Sequence, residues 1–574
     1  MTPRPGLLGV LCAAGLLLSG PTALARPQPT DGRWFADRGE TFVNPVLIGD
    51  YSDPDVIRVG RDYYLTASSF NSAPGLPILR SGDLVNWTLI GHALPWLSPR
   101  DHFRAPRRGA GVWAPSLRHH AGLYMIYYPD PDHGLFRVTA KDPRGPWTAP
   151  TLVDSDPGAI DPAPFWDDDG HAWLVHAYAK SRSGKANIIM LKPLSPDGAR
   201  VTGKGRVIID GDRLPPIQTS VGPRPWLFTE GPKLYKRNGW YYLFAPSGGV
   251  KAGWQAVFRS RSLTGPFEPR NVMDQGDSQT NGPHQGAWVV TDAGEDWFLH
   301  FEDRDVYGRV VHLEPMAWKD DWPVIGADPD GDGRGAPVAG GRKPRTLAPV
   351  ATRVAAPVAD DPLTGAPNLA WQWAANPADD WMRPSPEGLW LKSISGSANL
   401  FETGAVLSQK LPAEAFTATV RLDFAPKAIG ERAGLGIFGR GYGWIGLEKT
   451  AEGPRLVVET RPDADRNGEA QTEARAIAQS RLWLRVTATP RTLTIPPTET
   501  TGWPSLTRWR TFEARYSYSL DGQTFTPFGP SFTARPGVWV GAQIGLFAQA
   551  RQGAPAAVAA QVGGGRFADF RVTP

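Results

Sequence analysis

Cysteine is nearly absent: the 574 residues hold one, Cys12, and it falls within the N-terminal apolar stretch. A chain without paired thiols has no disulfide framework and no cysteine nucleophile, so its stability must come from its cores. A surplus of one charge is lacking as well. The 61 basic and 57 acidic residues leave a net +4, and the basic ones are scattered rather than gathered into a stripe. That argues against a nucleic-acid partner. Long apolar runs are missing too. Leu7–Leu18 (LLGVLCAAGLLL) is too short to cross a bilayer comfortably, so no membrane anchor is expected. With Arg4 before it and Ala23-Leu24-Ala25 after it, this run has the layout of a signal peptide over residues 1–25. Export to the periplasm or the medium is the expectation. Windows free of helix breakers are few, because 64 glycines and 57 prolines punctuate the chain. Short strands joined by turns are favoured over long helices.

What is plentiful is aromatic: 23 Trp, 14 Tyr and 23 Phe, far too many for a chain that stays unfolded. Between Asp50 and Trp322 one pattern returns five times, a turn with Gly or Asp running into an aromatic strand, as in Asn238-Gly239-Trp240-Tyr241-Tyr242-Leu243. The copies end at Leu65, Met125, Leu174, Leu243 and Leu299. Repeats of this size that carry several short strands are the signature of a β-propeller. The spacing predicts an all-β fold with five blades over residues 40–326. Residues 327–360 are rich in Asp, Gly, Ala and Pro without alternation and read as a linker. From 361 to 574 strand signals resume, including Asp521-Gly522 as a hairpin turn, which predicts an antiparallel β-sandwich.

A propeller gathers the innermost strands of all blades around one axis, so acidic residues far apart in sequence can converge. Three carboxylates open strands in different blades beside rigid Pro or Gly: Asp53 in Ser52-Asp53-Pro54-Asp55, Asp161 in Ile160-Asp161-Pro162, and Glu230 in Thr229-Glu230-Gly231-Pro232. One such residue is usually a turn former. Three at equivalent blade positions are a candidate acid/base site.

These motifs, with Asn44-Pro45-Val46-Leu47 and Val112-Trp113-Ala114-Pro115-Ser116-Leu117, resemble glycoside hydrolase family 43, the β-xylosidases and α-L-arabinofuranosidases. The tail, with Trp371-Gln372-Trp373 and Phe567-Ala568-Asp569-Phe570, resembles the concanavalin-like jelly roll of the xylosidase branch. The resemblance implies inverting hydrolysis with Asp53 as general base, Glu230 as general acid and Asp161 tuning and orienting the acid. It implies that Phe70, Trp113, His284 and Arg309 bind the terminal sugar or floor its pocket. The implied partner is a hemicellulose-derived oligosaccharide, cut from its end, and the chemistry requires no cofactor. Xylose and arabinose stay open as the sugar released, since Ser72-Ala73 stand where bulkier aromatics are common in that branch. A carbohydrate-binding propeller without turnover is the alternative from another class, although it would have no need of three placed carboxylates. One possible structural calcium loop remains: Asp328, Asp330 and Asp332 have D-x-D-x-D-G spacing, but Ala339 stands where a bidentate Glu should be.

Overall fold

Each of the five aromatic repeats becomes the first hairpin of a four-stranded antiparallel sheet. The turns explain why. At Asn238-Gly239 both residues are left-handed (φ 51° and 73°), the backbone that a two-residue hairpin matching strand twist requires. The computed structural model describes residues 1, 34–347, 360–494, 508–551 and 562–573. The segment read as a signal peptide lies outside the described residues, Met1 aside.

Blade 1 comprises Asp55–Val59, Asp62–Thr66, Gly75–Ser81 and Trp87–Leu94; blade 2 Ser116–His120, Leu123–Asp130, Gly134–Ala140 and Thr151–Asp154. Blade 3 comprises Ala159–Trp166, Ala172–Tyr178, Ile188–Leu194 and Arg206–Asp210; blade 4 Lys233–Arg237, Trp240–Ser247, Trp254–Ser260 and Glu268–Met273. Blade 5 comprises His284–Val290, Asp296–Asp303, Arg309–Lys319 and Trp322–Ile325. Strands alternate faces with period two, so each blade buries apolar side chains against both neighbours. Leu65 and Leu79 of blade 1 meet Leu299 and Leu313 of blade 5 in one core, which closes the ring. The first strand of blade 1 adjoins the first strands of blades 2 and 5, so these strands line the axis.

The tail folds as two eight-stranded sheets packed face to face. Their inner faces share one core that includes Leu422, Val458, Leu484 and Phe567. Asp521-Gly522 turns Ser517 and Tyr518 back onto Pro527 and Thr526. The propeller residues Val306 and Tyr307 belong to this same core, so the two parts are joined by packing rather than by a tether alone.

The stretch expected to be a linker is docked over its first half. Ala327 bridges Ala336, and Gly340–Arg342 pairs with Thr41–Val43. Alternation in the sequence is too short there to reveal pairing with a strand some three hundred residues away. Asp328, Asp330 and Asp332 do cluster, but Arg334 pairs with Asp332 and Gly333 donates to Asp328, so a cation and a backbone N–H already serve them. Among the described residues no helix is long and apolar enough to cross a membrane.

Candidate active site

The innermost strands carry a repeated irregularity. Asp53 leads into the first strand of blade 1, Asp161 lies in that of blade 3 and Gln285 in that of blade 5, with φ of 55°, 56° and 40°. Left-handed backbone at a residue other than glycine costs about 1–3 kcal/mol and gathers at functional sites. The ladder breaks register at two of these places, between Ile160 and Ala163 and between His284 and Gly286. The bulge re-aims each side chain from the interblade face toward the axis.

There the three carboxylates line one cavity of about 550 Å³ with Phe70, Trp113, Arg309 and Gln285. That volume suits a small-molecule site. Asp53 Oδ2 accepts hydroxyl hydrogen bonds from Ser52 and Ser68, each at 2.6 Å. Arg309 Nη1 donates to Ser52 Oγ at 2.6 Å and lies 3.4 Å from Asp53 Oδ1. Three donors on one carboxyl group suit an anion. The Arg309 guanidinium lies over the rings of Phe301 (4.9 Å) and Trp539 (5.6 Å). Asp161 Oδ2 accepts from the Gly231 N–H (2.7 Å) and from Gln285 Nε2 (3.2 Å). It thus grips the backbone one residue beyond Glu230. On the other side the Glu230 N–H donates to Pro246 O, and the Thr229 N–H donates to Asn187 Oδ1. Glu230 is pinned from both flanks while 24% of its side chain stays open.

Electrostatics divides the acids. Burial, then the charges of Asp161 and Asp53, push Glu230 well above the usual carboxyl range, against the opposing Arg309. Burial also pushes Asp161 up; the Gly231 N–H opposes it and the Asp53 charge adds to it. Of the two, Asp161 has the donors that favour its anion, so the proton resides on Glu230. A held anion and a neutral acid share one cavity, the pairing that acid/base chemistry on a glycosidic bond needs.

Six of the seven expected residues line this cavity. His284 does not. It is fully buried against Phe301 and meets Glu230 from beneath, its Nε2 3.5 Å from Oε1. Contact with a sugar is closed to it there. Burial, with Arg309 nearby, pushes it down to about 3, so it is neutral. Sequence reasoning missed Gln285, Phe228 and Trp539. Gln285 sits at the blade position of Asp161, a signal hidden because the search was for acids alone. Phe228 is left-handed (φ 53°) and 56% exposed at the cavity, a conformation invisible in sequence. Trp539 belongs to the sandwich and stands edge-on to Trp113 at 6.5 Å.

Comparison with known proteins gives two family matches. A model of glycosyl hydrolases family 43 matches residues 42–323, and one of the β-xylosidase C-terminal concanavalin A-like domain matches residues 363–562. A Xylanibacter ruminicola protein described as a candidate β-xylosidase is 34% identical over 533 residues, 91% of this chain and 90% of its own. A Bacteroides ovatus protein described as a non-reducing end α-L-arabinofuranosidase is 29% identical over 431 residues, 70% and 75% of the two chains. The solved structure of a bifunctional GH43-CE protein of Bacteroides eggerthii aligns with a TM-score of 0.73 at 27% identity. That alignment covers 92% of this chain and 63% of the Bacteroides eggerthii chain.

Proposed function

The chain belongs to glycosyl hydrolase family 43 and is a glycosidase, and from that premise we propose that it removes single β-D-xylose units from the non-reducing ends of xylo-oligosaccharides with inversion. The observation that carries this reading is the convergence of one donor-held carboxylate, Asp53, with one raised acid, Glu230, in a single cavity. Asp53 draws a proton from water as that water attacks the anomeric carbon. Glu230 gives its proton to the departing oxygen. Asp161 acts as a positioning residue, through the Gly231 N–H and through its charge. Arg309 offers donors to the sugar hydroxyls, while Phe70 and Trp113 supply apolar walls for its C–H faces. Trp539 and Trp113 together stop one side of the cavity, which favours chain ends over chain interiors. A possible structural calcium at Asp328, Asp330 and Asp332 has no part in these steps.

General acid or base catalysis contributes about 10²–10⁴-fold. Asp53→Asn is expected to lose that much on every substrate. Glu230→Gln should lose it on xylobiose but far less on an aryl xyloside whose leaving group needs little protonation. Equal losses on both would unseat the acid assignment. Proton NMR of the first-formed xylose, expected as the α-anomer, tests inversion. The Bacteroides ovatus relative favours a second reading, release of α-L-arabinofuranose. Product analysis on arabinose-branched xylo-oligosaccharides separates the two.

A further inference from the structure

Blade 5 turns one face toward blade 4, where Phe298 packs on Tyr242 and Phe244. On the same face stand His300 and Glu302 from its second strand and His312 and Glu314 from its third, with His300 directly opposite His312. All four are buried, at 0%, 0%, 2% and 0% exposure, and none lines the sugar cavity. One ligand-type atom from each of His300, His312 and Glu314 lies within 4.8 Å of the others.

The hydrogens around them can be assigned from partners that only accept. His300 Nδ1 is 3.1 Å from the Phe301 carbonyl oxygen, so Nδ1 carries the hydrogen and Nε2 keeps a lone pair. His312 Nε2 is 3.1 Å from Glu302 Oε2, and Arg304 and Arg510 hold Glu302 as an anion. Nε2 therefore carries the hydrogen. The nitrogen left to His312 is Nδ1, a buried atom without a protein partner. Glu314 Oε2 accepts the Val338 N–H at 2.8 Å, while Oε1 takes a long contact from Asn44 Nδ2 at 3.5 Å and stands 3.3 Å from His300 Nε2. Two imidazoles, each with one ring nitrogen free of hydrogen, and a carboxyl group thus gather in a buried place. They need a cation, or a proton on Glu314. Zinc bonds of about 2.0–2.1 Å put two ligands of a tetrahedron about 3.3–3.4 Å apart, which is the spacing found between Nε2 and Oε1.

We propose that His300, His312 and Glu314 bind a Zn²⁺ ion between blades 4 and 5, with water completing the tetrahedron. Two imidazoles and one carboxylate suit zinc rather than the oxygen-seeking calcium or magnesium. The outer shell is in place: the Phe301 carbonyl, the Glu302 carboxylate and the Val338 N–H each fix one ligand. Glu302 also takes Arg510 Nη1 of the sandwich at 2.6 Å. The ion thus braces the joint between propeller and sandwich.

The test uses the full chain, stripped with a chelator, incubated with micromolar Zn²⁺ and desalted, with bound zinc counted by atomic spectrometry. About one ion per chain is expected, with a raised melting temperature. His312→Gln and Glu314→Gln should each lose the ion, Glu302→Gln should weaken it by about 10–100-fold, and His284→Asn should retain it. Because a core variant can misfold, Co²⁺ loading of the parent provides a second reading: visible absorption of tetrahedral cobalt with imidazole ligands is expected. No retained zinc and no such absorption would mean that a proton on Glu314 fills the role. Unchanged zinc in His312→Gln and Glu314→Gln would put the metal elsewhere. Either result overturns the site.

Discussion

Asp53 and Asp55 stand two residues apart, and their neighbours give them different work. Asp53 faces the cavity; Asp55 accepts the Leu117 N–H and Arg118, both at 2.7 Å, and ties blade 1 to blade 2. Sequence singled out Asp53 through its place before a strand, but its left-handed backbone (φ 55°), set just ahead of the regular ladder that begins at Asp55, is what the sequence does not display. Asp161 offers the sharpest test at this scale. Its charge helps hold the proton on Glu230, so Asp161→Asn lowers the Glu230 pKa. The basic limb of the kcat/KM profile should therefore move to lower pH. A uniform fall in rate with an unmoved limb would show that only the grip on Gly231 matters.

Among elements, the hairpins were legible because turn chemistry is local: Asn238-Gly239 and Asp521-Gly522 each announce their own bend. What lay hidden were pairings between distant segments. Gly340–Arg342 finds Thr41–Val43, and the loop bearing Trp539 finds the cavity, through contacts that no sequence window contains. That loop is anchored at Gly541, whose N–H donates to Asp50 Oδ2 at 3.0 Å while Asp50 Oδ1 accepts the Arg309 N–H at 2.8 Å. A Cβ on Gly541 would stand 2.6 Å from Gly308 N, so Gly541→Ala must push the loop away. Overpacking of this kind costs about 1–3 kcal/mol. The expected result is a rise in KM for xylo-oligosaccharides as Trp539 leaves the wall, with the sandwich still folded. Unchanged KM would show that Trp539 adds nothing to binding.

For the whole molecule, the raised acid has a thermodynamic sign. The folded chain keeps the Glu230 proton at a pH where the unfolded chain has released it, so Glu230 costs stability as pH rises above about 4.3. Glu230→Gln removes that cost. Melting curves should show the variant above the parent at pH 7, with the gap closing as pH falls toward 4.5. His176 and His284 run the other way. Burial pushes them down to about 4 and about 3, so both proteins should lose stability on acidification below about 6.5. Each histidine contributes a slope of at most about 1.4 kcal/mol per pH unit.

Trp539 has one more consequence. Because the tail supplies a wall of the cavity, the gene segment for the sandwich also encodes part of the cavity's shape. Recombination that exchanged this tail between related genes would replace that wall without touching Asp53 or Glu230, so variation can reach the cavity through a part of the chain remote in sequence from both carboxyls.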